Sequence, residues 1–185
     1  KKANTSSVII IMDSFVGAIM EYSKKENDHD HLIKLLETNF EKLRTQANHI
    51  GSAIKALDPK KHSIGIVYFL LVKAKQQTVD EEFLILVENF LTTLDGKQTR
   101  KVPTRFAAVV HKYAAVCRDN KYSVRGLKYL AVGIDRFRPN SEYLTPLHSE
   151  YLCLALKSKN YKAGYELIET QIFDIDPNIT GLTPR

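Results

Sequence analysis

Two histidines and two carboxylates fall within four residues, Asp28-His29-Asp30-His31. Imidazole and carboxylate are the usual protein ligands of zinc, so the cluster could in principle hold a metal ion. A metalloprotease of the ubiquitin-system type needs His-x-His followed, seven residues on, by Ser and then, after two more, Asp. Asn39 and Lys42 stand at those places, and the motif fails. On a helix, residues two apart point about 200° from each other, which is wrong for a shared ion. Acids at a helix start are already expected from the helix dipole. The cluster therefore predicts no metal site.

The other reactive side chains are scattered. His62 and His148 fall in first turns of predicted helices, where an imidazole can bond a free backbone group or face water. His111 neighbours the inner face of its helix. Cys117 lies six residues further along that helix, about 120° around it, so the two make no nucleophile–base pair. Two cysteines, Cys117 and Cys153, are too few for a disulfide framework or a thiolate metal site. They read as small buried residues in a reducing compartment. There is no glycine-rich phosphate loop, no GxGxxG and no paired-cysteine spacing. The inventory predicts an interaction module, with no catalytic residue and no cofactor.

Charge gives the more informative signal. The net charge is +6, yet residues 97–138 carry eleven Lys or Arg against Asp119 and Asp135, leaving −3 on the rest. A basic middle reads either as a solvated face with a mild basic bias or as a surface that meets something acidic. Arg118, Lys121, Arg125 and Lys128 are the expected partner-binding residues. Phe106, Tyr113, Tyr129 and Phe137 fall on apolar helical positions and are expected inside. Single-strand binders expose such aromatics among their basic residues, so an acidic protein is the expected partner and nucleic acid the alternative.

The elements that carry these residues are helical. In 185 residues, 44% hydrophobic and 26% charged, there is enough chain to bury a core without disulfides. The longest apolar run, Ile66 to Ala74, is far short of the ~20 residues of a membrane span. Val8–Met12 is too short for a signal peptide. A first residue of Lys reads as a processed or excised piece. Ile33, Leu36, Phe40, Leu43, Ala47, Ile50, Ile54 and Leu57 form one helical stripe, broken near Ala47. Asp58-Pro59 is expected to open a helix as cap and first residue. Ile64–Ala74, apolar on nearly every side, is expected to be a central buried helix because no second strand exists to pair with it.

Thr78-Val79-Asp80-Glu81 reads as a capping box opening a helix with Phe83, Leu84, Val87, Phe90, Leu91 and Leu94 inside, closed by Asp95-Gly96. Pro103 opens a helix with Phe106, Val109, Val110, Tyr113 and Cys117 inside. Ser123 is expected to cap the next, which carries Val124, Leu127, Leu130, Ala131, Ile134 and Phe137 and stops at Pro139. Thr145-Pro146 opens another, and a last helix is expected over Tyr161 to Ile172. The domain expectation is one helical-repeat unit over 1–176, with a break near 47–60, followed by a flexible tail over 177–185.

The second half repeats itself. Shifted by 38 residues, Val109 meets Leu147, Tyr113 meets Tyr151, Val116 meets Leu154, Gly126 meets Gly164, Leu130 meets Ile168 and Ile134 meets Ile172. Each copy is a helix, a short Lys/Asn/Tyr connection and a second helix. Such periods mark helix-pair solenoids, which leave one extended surface for partners. Gly126 and Gly164 are expected to let hairpin helices approach closely, so that Gly164→Leu should destabilise by about 1–3 kcal/mol.

Lys61-His62-Ser63-Ile64-Gly65 leading into Tyr68–Lys73, Arg125-Gly126-Leu127, Leu144–His148, Leu152–Lys157, Tyr161–Gly164 and Phe173-Asp174-Ile175 occur in an order that resembles one family. It is the family of subunit three of the constitutive photomorphogenesis (COP nine) signalosome, and the likeness runs from about Ala47 to Ile175. The resemblance implies an all-α scaffold, its helix hairpins stacked as a right-handed TPR-like α-solenoid of the signalosome–proteasome-lid type, with the family's winged helix lying outside this chain. It further implies a non-catalytic part in the complex that removes a ubiquitin-like modifier from cullins, the metalloprotease being another subunit. Implied partners are other signalosome subunits and, indirectly, cullin–RING ligases, in cytoplasm and nucleus, with no membrane. A nucleic-acid-binding or translation-initiation-type scaffold using the 97–138 face is the alternative.

Overall fold

The computed structural model describes residues 2–76, 80–169, 172, 174 and 175, with side chains from residue 12 onward. It contains eleven α-helices among those residues: α1 (Lys2–Tyr22), α2 (His29–Thr38), α3 (Phe40–Thr45), α4 (Ile50–Lys55), α5 (Ser63–Ala74), α6 (Glu81–Thr93), α7 (Gly96–Thr99), α8 (Pro103–Asp119), α9 (Ser123–Phe137), α10 (Pro146–Lys157) and α11 (Tyr161–Ile168). Single 3-10 turns precede α2 and α4. Among the described residues an isolated bridge, Tyr143 with Asp174, makes no sheet. There Leu144 N–H donates to Asp174 O (3.0 Å) and Asp174 N–H to Glu142 O (3.2 Å), tying the segment after α11 to the loop before α10.

Every residue of α5 is buried. A helix apolar on all sides must be surrounded, and α2, α3, α4, α6, α7 and α8 all touch it. From there the helices stack in order: α6 against α9, α8 against α9, and α10 across both α8 and α9. Phe90, Phe106 and Phe137 form a continuous aromatic seam, edge-on at 6.2 Å and then stacked at 4.9 Å. The result is an all-α stack of helical repeats.

The repeat of 38 residues is a repeat of backbone. After α8, Lys121 takes φ 63°, and after α10, Lys159 takes φ 57°. Tyr122 N–H donates to Cys117 O at 2.7 Å, as Asn160 N–H does to Ala155 O at 2.9 Å. This is the six-to-one hydrogen bond of a Schellman turn, closed by a left-handed residue that is usually glycine.

Several boundaries differ from the sequence reading. The long stripe is broken twice, at Asn39 and again at Gln46, as well as by the turn Ala47–His49. Asp58-Pro59 makes a turn rather than a helix start: Asp58 Oδ1 accepts from Lys60 N–H, and α5 begins only at Ser63. Thr78 lies outside the described residues, and α6 is capped by Asp80, which accepts from Phe83 N–H at 3.0 Å. Asp95-Gly96 does more than close α6, since the Asp95 carboxylate caps the short α7. Tyr122, not Ser123, occupies the N-cap of α9; Ser123 is buried inside the helix, while Val124 is 67% exposed and Ala131 half-buried. The last helix ends at Ile168, and Ile172 is not helical. The expected tail over 177–185 lies outside the described residues.

Candidate interaction surface

His29 and His31 diverge as helix geometry requires. His29 is buried, with both ring nitrogens unpaired among the described residues, and His31 is exposed. Burial pulls the His29 pKa below its ordinary value. No group of three or more His, Cys, Asp or Glu is placed to hold a metal among the described residues.

The other titratable groups serve the helices. His62 Nδ1 accepts from Asp58 N–H at 3.0 Å and His148 Nδ1 from Thr145 N–H at 3.0 Å, the latter as half of a capping box at the start of α10. Burial lowers both pKa values. His111 does not neighbour the core: it is exposed, its Nδ1 2.8 Å from Glu150 of α10. Cys117 is fully buried, and burial pushes its thiol up to about 11, far from a reactive thiolate. Cys153 is only half-buried, with Arg118 Nη1 3.5 Å from its Sγ.

The four basic residues singled out in the sequence separate into two kinds. Arg125 turns inward. Its Nε lies 2.7 Å from Glu88 Oε1, its Nη2 2.9 Å from Glu88 Oε2, and Nη1 meets Glu81. Glu88, 4% exposed, also accepts from Tyr113 Oη at 3.1 Å. This bidentate pair joins α6, α8 and α9 through their buried faces, and hydrogen bonds to Glu88 and Glu81 raise the Arg125 pKa further. Arg118 lies sideways, its Nε 3.6 Å from Asp119.

Lys121 and Lys128 face outward and make no ion pair with any described residue. Lys128 does no more than lie over its neighbour Tyr129, 5.6 Å from the ring centre. Between them stand Val124, 67% exposed, and Tyr122, 42% exposed. The arrangement is an apolar spot flanked by two unneutralised ammonium groups. Elsewhere in residues 97–138, Lys97 pairs with Glu26, Arg105 with Glu37 and Arg138 with Asp135, while Lys112 and Arg136 meet no carboxylate among the described residues. Arg100 donates to Phe137 O and Lys101 to Glu26 O. Phe106, Tyr113 and Phe137 are fully buried as expected, and Tyr129 half-buried.

Comparison with known proteins extends this picture. A family model described as COP9 signalosome complex subunit 3, N-terminal helical repeats, matches residues 26–185, starting earlier than the likeness read from the sequence. COP9 signalosome complex subunit 3 of Arabidopsis thaliana is 26% identical over 174 residues, covering 89% of this chain and 39% of the relative. Its Drosophila melanogaster namesake is 25% identical over 130 residues, covering 68% of this chain and 29% of the relative. The chain thus spans well under half the length of these curated relatives. No solved structure matches it. With the stacked hairpins and the family model agreeing over most of its length, the chain belongs to the family of COP9 signalosome subunit 3 N-terminal helical repeats.

Proposed function

We propose that this chain is the amino-terminal scaffold of a signalosome subunit, holding neighbouring subunits of the complex that strips a ubiquitin-like modifier from cullins of cullin–RING ligases. It works in cytoplasm and nucleus. Family membership over residues 26–185 carries this reading. The contact face is the outer side of α9 around Lys121, Val124 and Lys128, which offers charge and apolar area together and so suits an acidic protein surface. Arg118 borders it, whereas Arg125, half-buried, is held by Glu88 and Glu81. A polyphosphate partner is less well served, because Lys97, Arg105, Arg118, Arg125 and Arg138 of the basic run already meet carboxylates within the chain.

Affinity purification of the tagged gene product from its own cells, with mass spectrometry of what accompanies it, tests the assignment. Other signalosome subunits and cullins are the expected companions, and their absence would overturn it. Lys121→Glu with Lys128→Glu should weaken that capture while leaving the melting curve in place. Unchanged capture removes this face. A shift with added RNA or DNA that fades steeply with salt would instead favour nucleic acid.

A further inference from the structure

The repeat sets two left-handed turns on one edge of the stack. Arg118, at the end of α8, reaches Cys153 of α10, its Nη1 3.5 Å from the Sγ. A methyl group added at Gly126, one turn into α9, would lie 2.5 Å from Cδ1 of Leu154, one turn from the end of α10. The turns at 120–122 and 158–160 are therefore neighbours, each closed by a left-handed lysine, Lys121 or Lys159. Packed helices lie about 8–10 Å apart, a step that an extended peptide covers in about three residues.

The second turn adds cations that residues 97–138 do not contain. Lys157 and Lys159 are exposed and, like Lys121, meet no carboxylate among the described residues. The acids at this end of the helices are engaged within the chain. Asp119 lies 3.6 Å from Arg118 and Glu166 3.9 Å from Lys162, while Asp80 and Glu82 meet Lys73 and Glu81 meets Arg125. Beside the free ammonium groups stand two aliphatic side chains, Val124, 67% exposed, and Leu156, 66% exposed. Charge and aliphatic area together suit a polypeptide. A nucleic-acid strand stacks on successive open rings. Here Tyr122 already has the Arg125 guanidinium 5.8 Å from its ring centre, which leaves Tyr161 as a single platform at this edge among the described residues.

We propose that the edge formed by the two turns binds an extended acidic peptide segment of a partner protein. Lys121 takes one carboxylate, Lys157 and Lys159 take another about three residues along, and Val124 and Leu156 receive aliphatic side chains between them. The site widens the contact face on α9 to a second repeat, and it rests on that reading for Lys121 and Val124.

The test titrates the purified full gene product, by fluorescence anisotropy, with a labelled peptide carrying Glu at every third position and Leu between. A second peptide has the same composition with all its Glu at one end, and an oligouridylate serves as the nucleic-acid probe. The spaced peptide should bind at least tenfold more tightly than either. Lys157→Glu with Lys159→Glu should weaken it at least tenfold at an unchanged melting temperature. Lys60→Glu with Arg136→Glu, the same change of charge away from the two turns, should change it less than twofold. No binding of the spaced peptide, equal binding of the two peptides, or equal loss from the two double variants would each overturn the proposal. Tighter binding of the oligouridylate would assign the edge to nucleic acid and also overturn it. Capture of signalosome subunits is read separately: a chain that captures them yet ignores the peptide sinks this site and leaves the scaffold reading standing.

Discussion

In the hairpin α8–α9, Lys121 closes the turn at φ 63°, and in α10–α11 Lys159 does so at φ 57°, with matching hydrogen bonds behind each. The side chains around those turns are treated differently. Arg125 reaches back from the first hairpin to a buried carboxylate, while its counterpart in the second is Ala163, which carries no charge. Gly126 is pressed from two sides, with the Cys117 Cβ of its own hairpin at 3.2 Å and Leu154 of the next at 2.5 Å; Gly164 has only ordinary contacts. The local sequence thus reproduces the backbone of a repeat, whereas stacking is decided separately by what each outer face meets.

The comparison can be broken most forcefully at Glu88. Glu88→Ala leaves the Tyr113 hydroxyl without its acceptor and Arg125 with Glu81 alone, and should lower unfolding stability by about 2 kcal/mol, read by chemical denaturation. A loss within experimental error would mean that the first hairpin is held by apolar packing alone.

Next come the glycines. Gly126→Ala should destabilise by about 2 kcal/mol through overpacking. Gly164→Ala should be neutral or stabilising by up to about 1 kcal/mol, since helix propensity improves where a methyl fits. Equal losses at both sites would erase the difference between the hairpins.

The turns should behave alike. Lys121→Gly and Lys159→Gly each relieve a left-handed lysine and should each raise stability by about 0.5–1 kcal/mol, less whatever glycine adds to the freedom of the unfolded chain. Unequal gains in thermal melting would show that the shared backbone is held under different loads.

The smallest effect concerns acid. Burial holds His148 below its ordinary pKa, so the unfolded chain takes up the proton first. Stability should therefore decline as pH falls below about 6.5, the ordinary histidine value, and level off beneath the folded pKa. The counterpart of His148 in the first hairpin is Val110, which cannot titrate. His148→Gln keeps an acceptor for Thr145 N–H and should flatten part of this decline in denaturation curves at pH 7 and pH 5. His29 and His62, also lowered by burial, account for the remainder.

Helix stripes made most of this fold legible. Phe106, Val109, Val110, Tyr113 and Cys117 stand on one side of α8 by spacing alone, and all are buried. Arg125 was misleading because a surface charge and a core charge look identical without their partners. A signal for its role was present in α6, where Leu84, Glu88 and Leu91 share one face at spacings of four and three, placing a carboxylate among core positions. Lys73, inside the apolar run of α5 and paired with Glu82, is a second instance. Helix starts were less legible because Asp and Thr before a helix compete with one another: Asp80 caps α6, while Asp58, in a similar context, folds its side chain onto Lys60.

The bridge at Asp174 has a mechanical meaning. Because Asp174 is held between Glu142 and Leu144, the polypeptide leaving α11 is anchored beside the point where α10 sets out. Tension applied downstream of Ile175 is delivered to the α9–α10 loop before it can peel α11 away. The segment at Asp174 is therefore a clamped handle on the α9–α10 loop.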